Sequence, residues 1–196
     1  MEGSYGISSR DYLERARKCL DNGQVAPLFY AAFELRCGIE ARMAEYLEVQ
    51  EHISKKKRQG WQIAKLARNI EDAFRLGDKQ AILKVRDKQT KEIIYEFVYT
   101  PVTSSLRKKG EQLGDILHSA KKYHSVENAY WSKLRQKLEE TYTELQVATS
   151  GKLLGPLLMH PKKKTMDMKV ELPSAELQKI MESLINQEFL LEVKYE

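Results

Sequence analysis

Two cysteines in 196 residues leave little for a disulfide framework or a metal centre. Cys19 and Cys37 stand apart in helical patterns, beside apolar residues and without metal-ligand spacing, so no metal site is expected. Two thiols in a charged chain whose start, Met1-Glu2-Gly3-Ser4, lacks an apolar segment predict a reducing, cytoplasmic setting. No stretch approaches the roughly 20 apolar residues that span a bilayer, so a membrane partner is not expected. A glycine-rich phosphate loop, a GxSxG elbow and an HExxH pair are all missing, and no cofactor motif takes their place. Carboxylates are plentiful but scattered over helix-surface positions. Glycine and proline are sparse and 31% of the chain is charged, which describes a helix-rich folded chain rather than a disordered one. No internal repeat or low-complexity segment is present.

A chain of this length buries roughly 70% of its unfolded surface, enough for one domain with a core and a small appendage. The net charge is +5, yet no basic half exists: Lys and Arg against Asp and Glu count 18 to 15 in residues 1–100 and 15 to 13 in residues 101–196. The positive charge is local, in Lys55-Lys56-Lys57-Arg58, Arg107-Lys108-Lys109, Lys121-Lys122 and Lys162-Lys163-Lys164. These clusters form a phosphate-binding surface if the fold gathers them, and otherwise are solvated turns and helix ends, the commoner fate of lysine runs.

Apolar periodicity predicts a mainly α chain. A first helix covers about residues 9–22, capped by Ser8 or Ser9 and ended at Gly23, with Leu13, Ala16 and Leu20 inward. The strongest pattern begins near Pro27: Leu28, Ala32, Leu35, Ile39, Met43 and Tyr46 or Leu47 recur at three- and four-residue steps. Glu34, Arg36, Glu40, Arg42 and Glu45 flank that stripe; Arg36 and Glu40, one turn apart, can pair, and either cover it with their stems or make a satisfied polar contact inside a bundle. After a basic turn or short helix at 53–60, a helix over about 61–76 turns Trp61, Ala64, Ile70, Ala73 and Phe74 inward. Residues 81–86 and 92–99, rich in β-branched and aromatic side chains about Asp87-Lys88-Gln89-Thr90, predict a β-hairpin.

Two further helices, about 103–119 and 125–149, are joined by a short link and should pack antiparallel. In the first, Gly110 and Gly114 weaken the helix by roughly 1 kcal/mol each and imply close approach of a neighbour. In the second, Ser125 is the expected cap and Val126, Tyr130, Leu134, Leu138, Tyr142 and Leu145 the inner stripe. Gly155-Pro156 interrupts the chain beyond Gly151. A strand over about 166–172, a helix capped by Ser174 and a strand over 189–195 follow, either sharing the hairpin's sheet or forming their own. The organisation expected is a bundle of about five helices in residues 1–150, carrying the hairpin at about 81–99, and a small α/β appendage in residues 151–196.

Among four histidines, His52, His124 and His160 fall in polar or basic turns. His118 ends the apolar run Leu113-Gly114-Asp115-Ile116-Leu117, where the negative end of the helix dipole favours an imidazole. Ala31-Ala32-Phe33-Glu34-Leu35-Arg36-Cys37-Gly38-Ile39-Glu40-Ala41-Arg42 resembles the long core helix of HEPN-like helical domains of bacteria and archaea, and Leu113 to Ser119 is similar to that family's helix-end histidine segment. The resemblance covers about residues 8–149. It implies a homodimer with a protein partner or RNA, in a bacterial defence, toxin–antitoxin or regulatory system. Members that cut RNA pair the histidine with an arginine four to six residues upstream of it, counting those between, and the pair assists attack by a 2′-hydroxyl. Here those positions are Glu111, Gln112 and Leu113. Arg107 lies about three turns away, roughly 16 Å along the axis, and cannot serve the same phosphate from the same helix. Arg36, or a second subunit, is the remaining source of a guanidinium. The resemblance therefore implies a non-enzymatic interaction module. The alternative is an RNA-binding protein or metal-independent ribonuclease using His118 and Arg36. Its nucleic-acid contacts would be Lys55, Lys56, Lys57, Arg58, Arg107, Lys108, Lys109, Lys121 and Lys122. Tyr95, Phe97 and Tyr99, alternating on one hairpin face, either stack bases or pack on the helices.

Overall fold

The computed structural model describes residues 5–50, 53–58, 60, 62–118, 124–125, 127–159, 166–185 and 188–196. It is mainly α, with a β-hairpin and a C-terminal strand. Five long helices, α1 (Ser9–Asp21), α2 (Ala26–Glu48), α4 (Ile63–Phe74), α5 (Ser104–Leu117) and α6 (Ala129–Ser150), make the bundle, and α3 (Lys55–Arg58) is a single turn. The hairpin is β1 (Ala81–Asp87) and β2 (Ile93–Tyr99); short strands β3 (Leu158–Met159) and β4 (Met166–Asp167), helix α7 (Ser174–Ile185) and strand β5 (Phe189–Tyr195) follow.

Helix α2 is the axis of the bundle. All its stripe residues, Leu28, Ala32, Leu35, Ile39, Met43, Tyr46 and Leu47, are buried, because three-and-four spacing keeps them on one face. Ser8 caps α1 in a reciprocal box: its hydroxyl accepts from the Asp11 N–H, and the Asp11 carboxylate accepts from the Ser8 N–H at 2.9 Å. Those bonds hold the Asp11 carboxyl below its ordinary pKa. The bonds of Ser9 to Glu45 and of Arg15 to Glu34 run α1 antiparallel to α2. Ser105 to Glu144 and Lys109 to Glu140 run α5 antiparallel to α6, as the short link requires.

Some local expectations need correction. Helix α6 starts four residues later than Ser125, with Asn128 as cap; the Ser125 carbonyl instead accepts from the Trp131 indole and the Asn128 N–H. Tyr130 is 37% exposed, and the inner stripe is Leu134, Leu138, Thr141, Leu145 and Ala148. In α4 the inner residues are Ile63, Leu66, Ile70 and Phe74, whereas Ala64 is exposed; Trp61 and Val126 lie outside the described residues. Ser174 is the first helical residue of α7, not its cap, and the Pro173 carbonyl receives the first N–H bonds. The strand expected over 166–172 is reduced to β4 and an isolated bridge from Val170 to Leu153. Gly155-Pro156 breaks the opposite strand, since proline has no N–H to offer a ladder.

The C-terminal strand resolves the choice left open by its sequence. β5 pairs antiparallel with β1 along its whole length, giving the order β2-β1-β5. The sheet's inner face carries Ala81, Leu83, Val85, Phe97 and Tyr99, all buried against the bundle. Tyr99 meets Tyr46 and Phe74 edge-on, with ring centroids at 5.0 and 6.1 Å.

Among the described residues Arg42 is the one fully buried charge, with no exposed surface. Its Nε donates to the Tyr46 hydroxyl and to the Ala148 carbonyl, both at 3.1 Å; its Nη2 donates to the Gly151 carbonyl at 3.0 Å. Its Nη1 lies 3.1 Å from both Glu45 and Glu171. Burial opposes the charge, but Tyr46, Glu45 and Glu171 outweigh it and keep the guanidinium more firmly protonated than usual. Tyr46 in turn donates to the Thr100 and Ala148 carbonyls, and burial pushes its hydroxyl up to about 12. Replacing Arg42 by methionine removes every donor at once and leaves two carboxylates facing each other. A loss of about 3–5 kcal/mol is expected, read as a fall in Tm of roughly 10 °C; an unchanged Tm would refute the role.

Cys37 sits half-buried on α2, and its thiol is pushed up to about 11, first by burial and then by Glu40 and Glu34. At pH 8 its alkylation by iodoacetamide should run about a hundredfold slower than that of an unstructured cysteine, and urea should erase the difference.

Candidate functional site

His118 is the C-cap of α5, with extended backbone (φ −81°, ψ 162°), and it is exposed. The helix stops there because the chain turns away immediately after Leu117. Four residues earlier, Gly114 provides the approach that its sequence position implied. A Cβ at Gly114 would overlap the guanidinium of Arg36, which reaches across from α2. The structure thus places Arg36 against α5 about one helical turn, roughly 6 Å along the axis, before His118. No arginine on α5 itself lies there; the tertiary fold brings one from another helix.

Arg36 does not arrive unengaged. Its Nε donates to Glu40 at 3.1 Å, and both side chains are largely buried. Burial raises the Glu40 carboxyl above its ordinary pKa, while Arg36 opposes that shift. Gly110, one turn earlier, meets both α4 and α2: a Cβ there would lie 2.7 Å from Ile63 Cδ1 of α4 and 3.0 Å from Ile39 Cδ1 of α2. Both glycines therefore let α5 settle onto its neighbours, with an apolar contact to α4 and α2 at one and a cation from α2 at the other.

The basic clusters do not gather as a set. Lys109 turns inward to α6, 2.7 Å from Glu144 and 3.4 Å from Glu140, whose hydrogen bonds and charge raise its pKa. Arg107 meets Asp78 at 3.5 Å, and the same carboxylate accepts from the Ser104 N–H and hydroxyl at the start of α5. Lys108 is exposed. With Arg107 and Arg68 it borders a shallow groove of about 550 Å³ between α4 and α5. Arg68 went unnoticed in the sequence because it stands alone, without a neighbouring cation. Lys55 and Lys56 are exposed on the single turn α3, which also carries Lys57 and Arg58. Lys121, Lys122, the 162–164 run, His52 and His160 lie outside the described residues. His124 stacks on Tyr130, with ring centroids 4.1 Å apart and planes 5° apart, so its ring has an aromatic neighbour rather than water alone.

The stacking platform on the hairpin is overturned. Phe97 and Tyr99 are 5% and 2% exposed, and Tyr95 packs beneath α7 with its hydroxyl 2.8 Å from Ser183. Their alternation serves the core face of a half-buried strand. Among the described residues no three His, Cys, Asp or Glu side chains gather to hold a metal ion, and no helix is long and apolar enough to cross a membrane.

The two glycines separate cleanly by substitution. Gly110→Ala drives a methyl into buried isoleucines and should cost about 1–3 kcal/mol in urea unfolding. Gly114→Ala displaces only the flexible end of Arg36 and gains about 1 kcal/mol of helix propensity, so it should be neutral or stabilising. Equal losses at both positions would show that the Arg36 contact is not a yielding one.

No family model matches the chain, and no curated protein or solved structure matches it.

Proposed function

We propose that the chain is a non-enzymatic, HEPN-like helical interaction module that acts as a homodimer in the cytoplasm. One observation carries the reading: large apolar side chains are left uncovered and concentrated near the C-terminus. Met181, Ile185 and Leu191 are 55%, 73% and 53% exposed, and Phe189, Leu190 and Tyr195 lie near 40%. Uncovered apolar surface of this kind marks association rather than chemistry. The groups that resemble catalytic machinery are meanwhile spent on internal contacts, Arg36 on Glu40 and Lys109 on Glu140 and Glu144. Sedimentation equilibrium at tens of micromolar should give a dimer mass; a monomer throughout that range rejects the reading.

A second reading, an RNA-binding protein or divergent metal-independent ribonuclease, is favoured by the approach of Arg36 to the His118 end of α5, and by the groove of Arg68, Arg107 and Lys108. Phosphate binding by such a surface weakens steeply with salt. Filter binding at low salt decides it: RNA retained, and released as salt rises, favours this reading over the first. If the bound RNA is also cut, His118→Ala must abolish the cutting. No retention leaves the interaction module standing.

A further inference from the structure

Strand β5 is an edge: among the described residues its one hydrogen-bonded neighbour is β1. The bonds at its two ends show which way its backbone faces. Gln80 and Glu196 exchange N–H bonds at 2.8 and 3.1 Å, and the Glu188 carbonyl accepts from Lys88 at 3.0 Å. Successive residues of an antiparallel strand alternate between facing the partner strand and facing away. The even-numbered residues from 188 to 196 therefore direct their N–H and C=O groups at β1. Phe189, Leu191, Val193 and Tyr195 direct theirs outward, toward the open edge.

Those four side chains also share the sheet's inner face, since they stand opposite Asp87, Val85, Leu83 and Ala81. On β1, Ala81, Leu83 and Val85 of that face are buried and Asp87 is half-buried, whereas Phe189, Leu191 and Tyr195 are 41%, 53% and 41% exposed. Natural edges are blunted by proline, bulges or inward charges. β5 pairs with β1 without a bulge, has no proline and points apolar residues inward. It combines free backbone groups with uncovered apolar side chains, which is what an added strand needs.

We propose that β5 is the homodimer interface, two copies pairing these strands antiparallel about a two-fold axis at Val193. The proposal rests on the homodimer reading above and names its surface. Charge and strand overlap set the register: an axis at Tyr195 also sets Lys194 against Glu196, but overlaps the two strands only at one end. A two-fold axis perpendicular to the sheet pairs residues of the same face, so it passes through a residue. An axis at Glu192 or at Lys194 sets that charge against itself. An axis at Leu191 leaves Glu192 opposite Leu190, and gives Lys194 only Glu188, which precedes the strand and is held by Lys88 at 2.9 Å. An axis at Val193 places Glu192 of each copy opposite Lys194 of the other. These fall in the non-hydrogen-bonded pairs, where side chains approach more closely. Val193 then exchanges N–H bonds with its own counterpart, and Leu191 with Tyr195, using the groups that face outward. The two sheets become one, with Val193 beside Val193 and Leu191 beside Tyr195 on its apolar face. Glu192 and Lys194 are exposed on the polar face, where Glu192 already meets Arg86 at 2.7 Å and Lys194 meets Glu196. The second copy extends that alternation of sign across the axis.

The test is sedimentation equilibrium on the full chain. Glu192→Lys and Lys194→Glu should each weaken the dimer by roughly tenfold or more, because two like-charge pairs replace two opposite-charge pairs. The double change should restore an affinity close to that of the unaltered chain. Val193→Pro should abolish the dimer with the circular dichroism spectrum retained, since the lost N–H faces the open edge and not β1. Should that variant fail to fold, the charge exchange carries the test alone. A monomer at tens of micromolar overturns this proposal and the homodimer reading together. A dimer that tolerates the single charge reversals, or that the double reversal fails to restore, overturns the β5 interface and leaves the homodimer reading in place.

Discussion

The buried guanidinium of Arg42 is the constraint around which the rest is arranged. A cation with no exposed surface survives only if its donors are met. Here they are met by groups from three separate stretches of chain: Glu45 and Tyr46 on α2, the Ala148 and Gly151 carbonyls at the end of α6, and Glu171 beyond β4. The set extends outward. Glu45 receives the Ser9 N–H and hydroxyl at the start of α1, and Arg10 reaches Glu171 and the Thr149 carbonyl. Tyr46 passes the connection to Thr100, where β2 ends. Helix ends have unpaired carbonyls that must find donors. Placing an arginine under the end of α6 meets that need and ties the residues after 150 to the bundle.

A core pinned in this way limits what the surface must do. The bundle face of the sheet is closed by aromatic contacts at Tyr46, Tyr99 and Phe74, and Arg36 is engaged by Glu40 on α2. Uncovered apolar side chains gather on α7 and β5, while Ile7, Tyr30 and Val147 are exposed elsewhere. Polar groups are satisfied inside, and among the described residues the β5 edge combines outward backbone groups with exposed leucines.

Much of the architecture was legible from spacing. The α2 stripe, the capped start of α1 and the hairpin each rest on local rules, a 3.6 or two-residue period and a cap. The close approach at Gly110 and Gly114 was legible as well, because a mid-helix glycine otherwise only weakens its helix. Less was legible where local preference is satisfied in more than one way. Ser125 and Asn128 are both competent caps, and the tertiary position of Trp131, whose indole takes the Ser125 carbonyl, accompanies the choice of Asn128. Ala64 and Leu66 both fit a helical pattern, and packing against α2 separates them. At the candidate site, the missing arginine was visible as a gap before His118. The approach of Arg36 was not, since it depends on how two helices 78 positions apart along the chain come to cross.

The sequence by itself determined the order and kind of the elements, the burial of α2 and the place of His118 at a helix end. All of these follow from interactions within a few residues. Only the tertiary structure decided that Arg42, one of five charged residues flanking the same stripe, is the buried one. It also decided that Arg36 lies against Gly114, and that β5 completes the hairpin's sheet while leaving its own outer edge open. Each depends on pairing groups far apart in the chain, where a side chain's partners are set by helix crossing and strand order rather than by its neighbours in sequence.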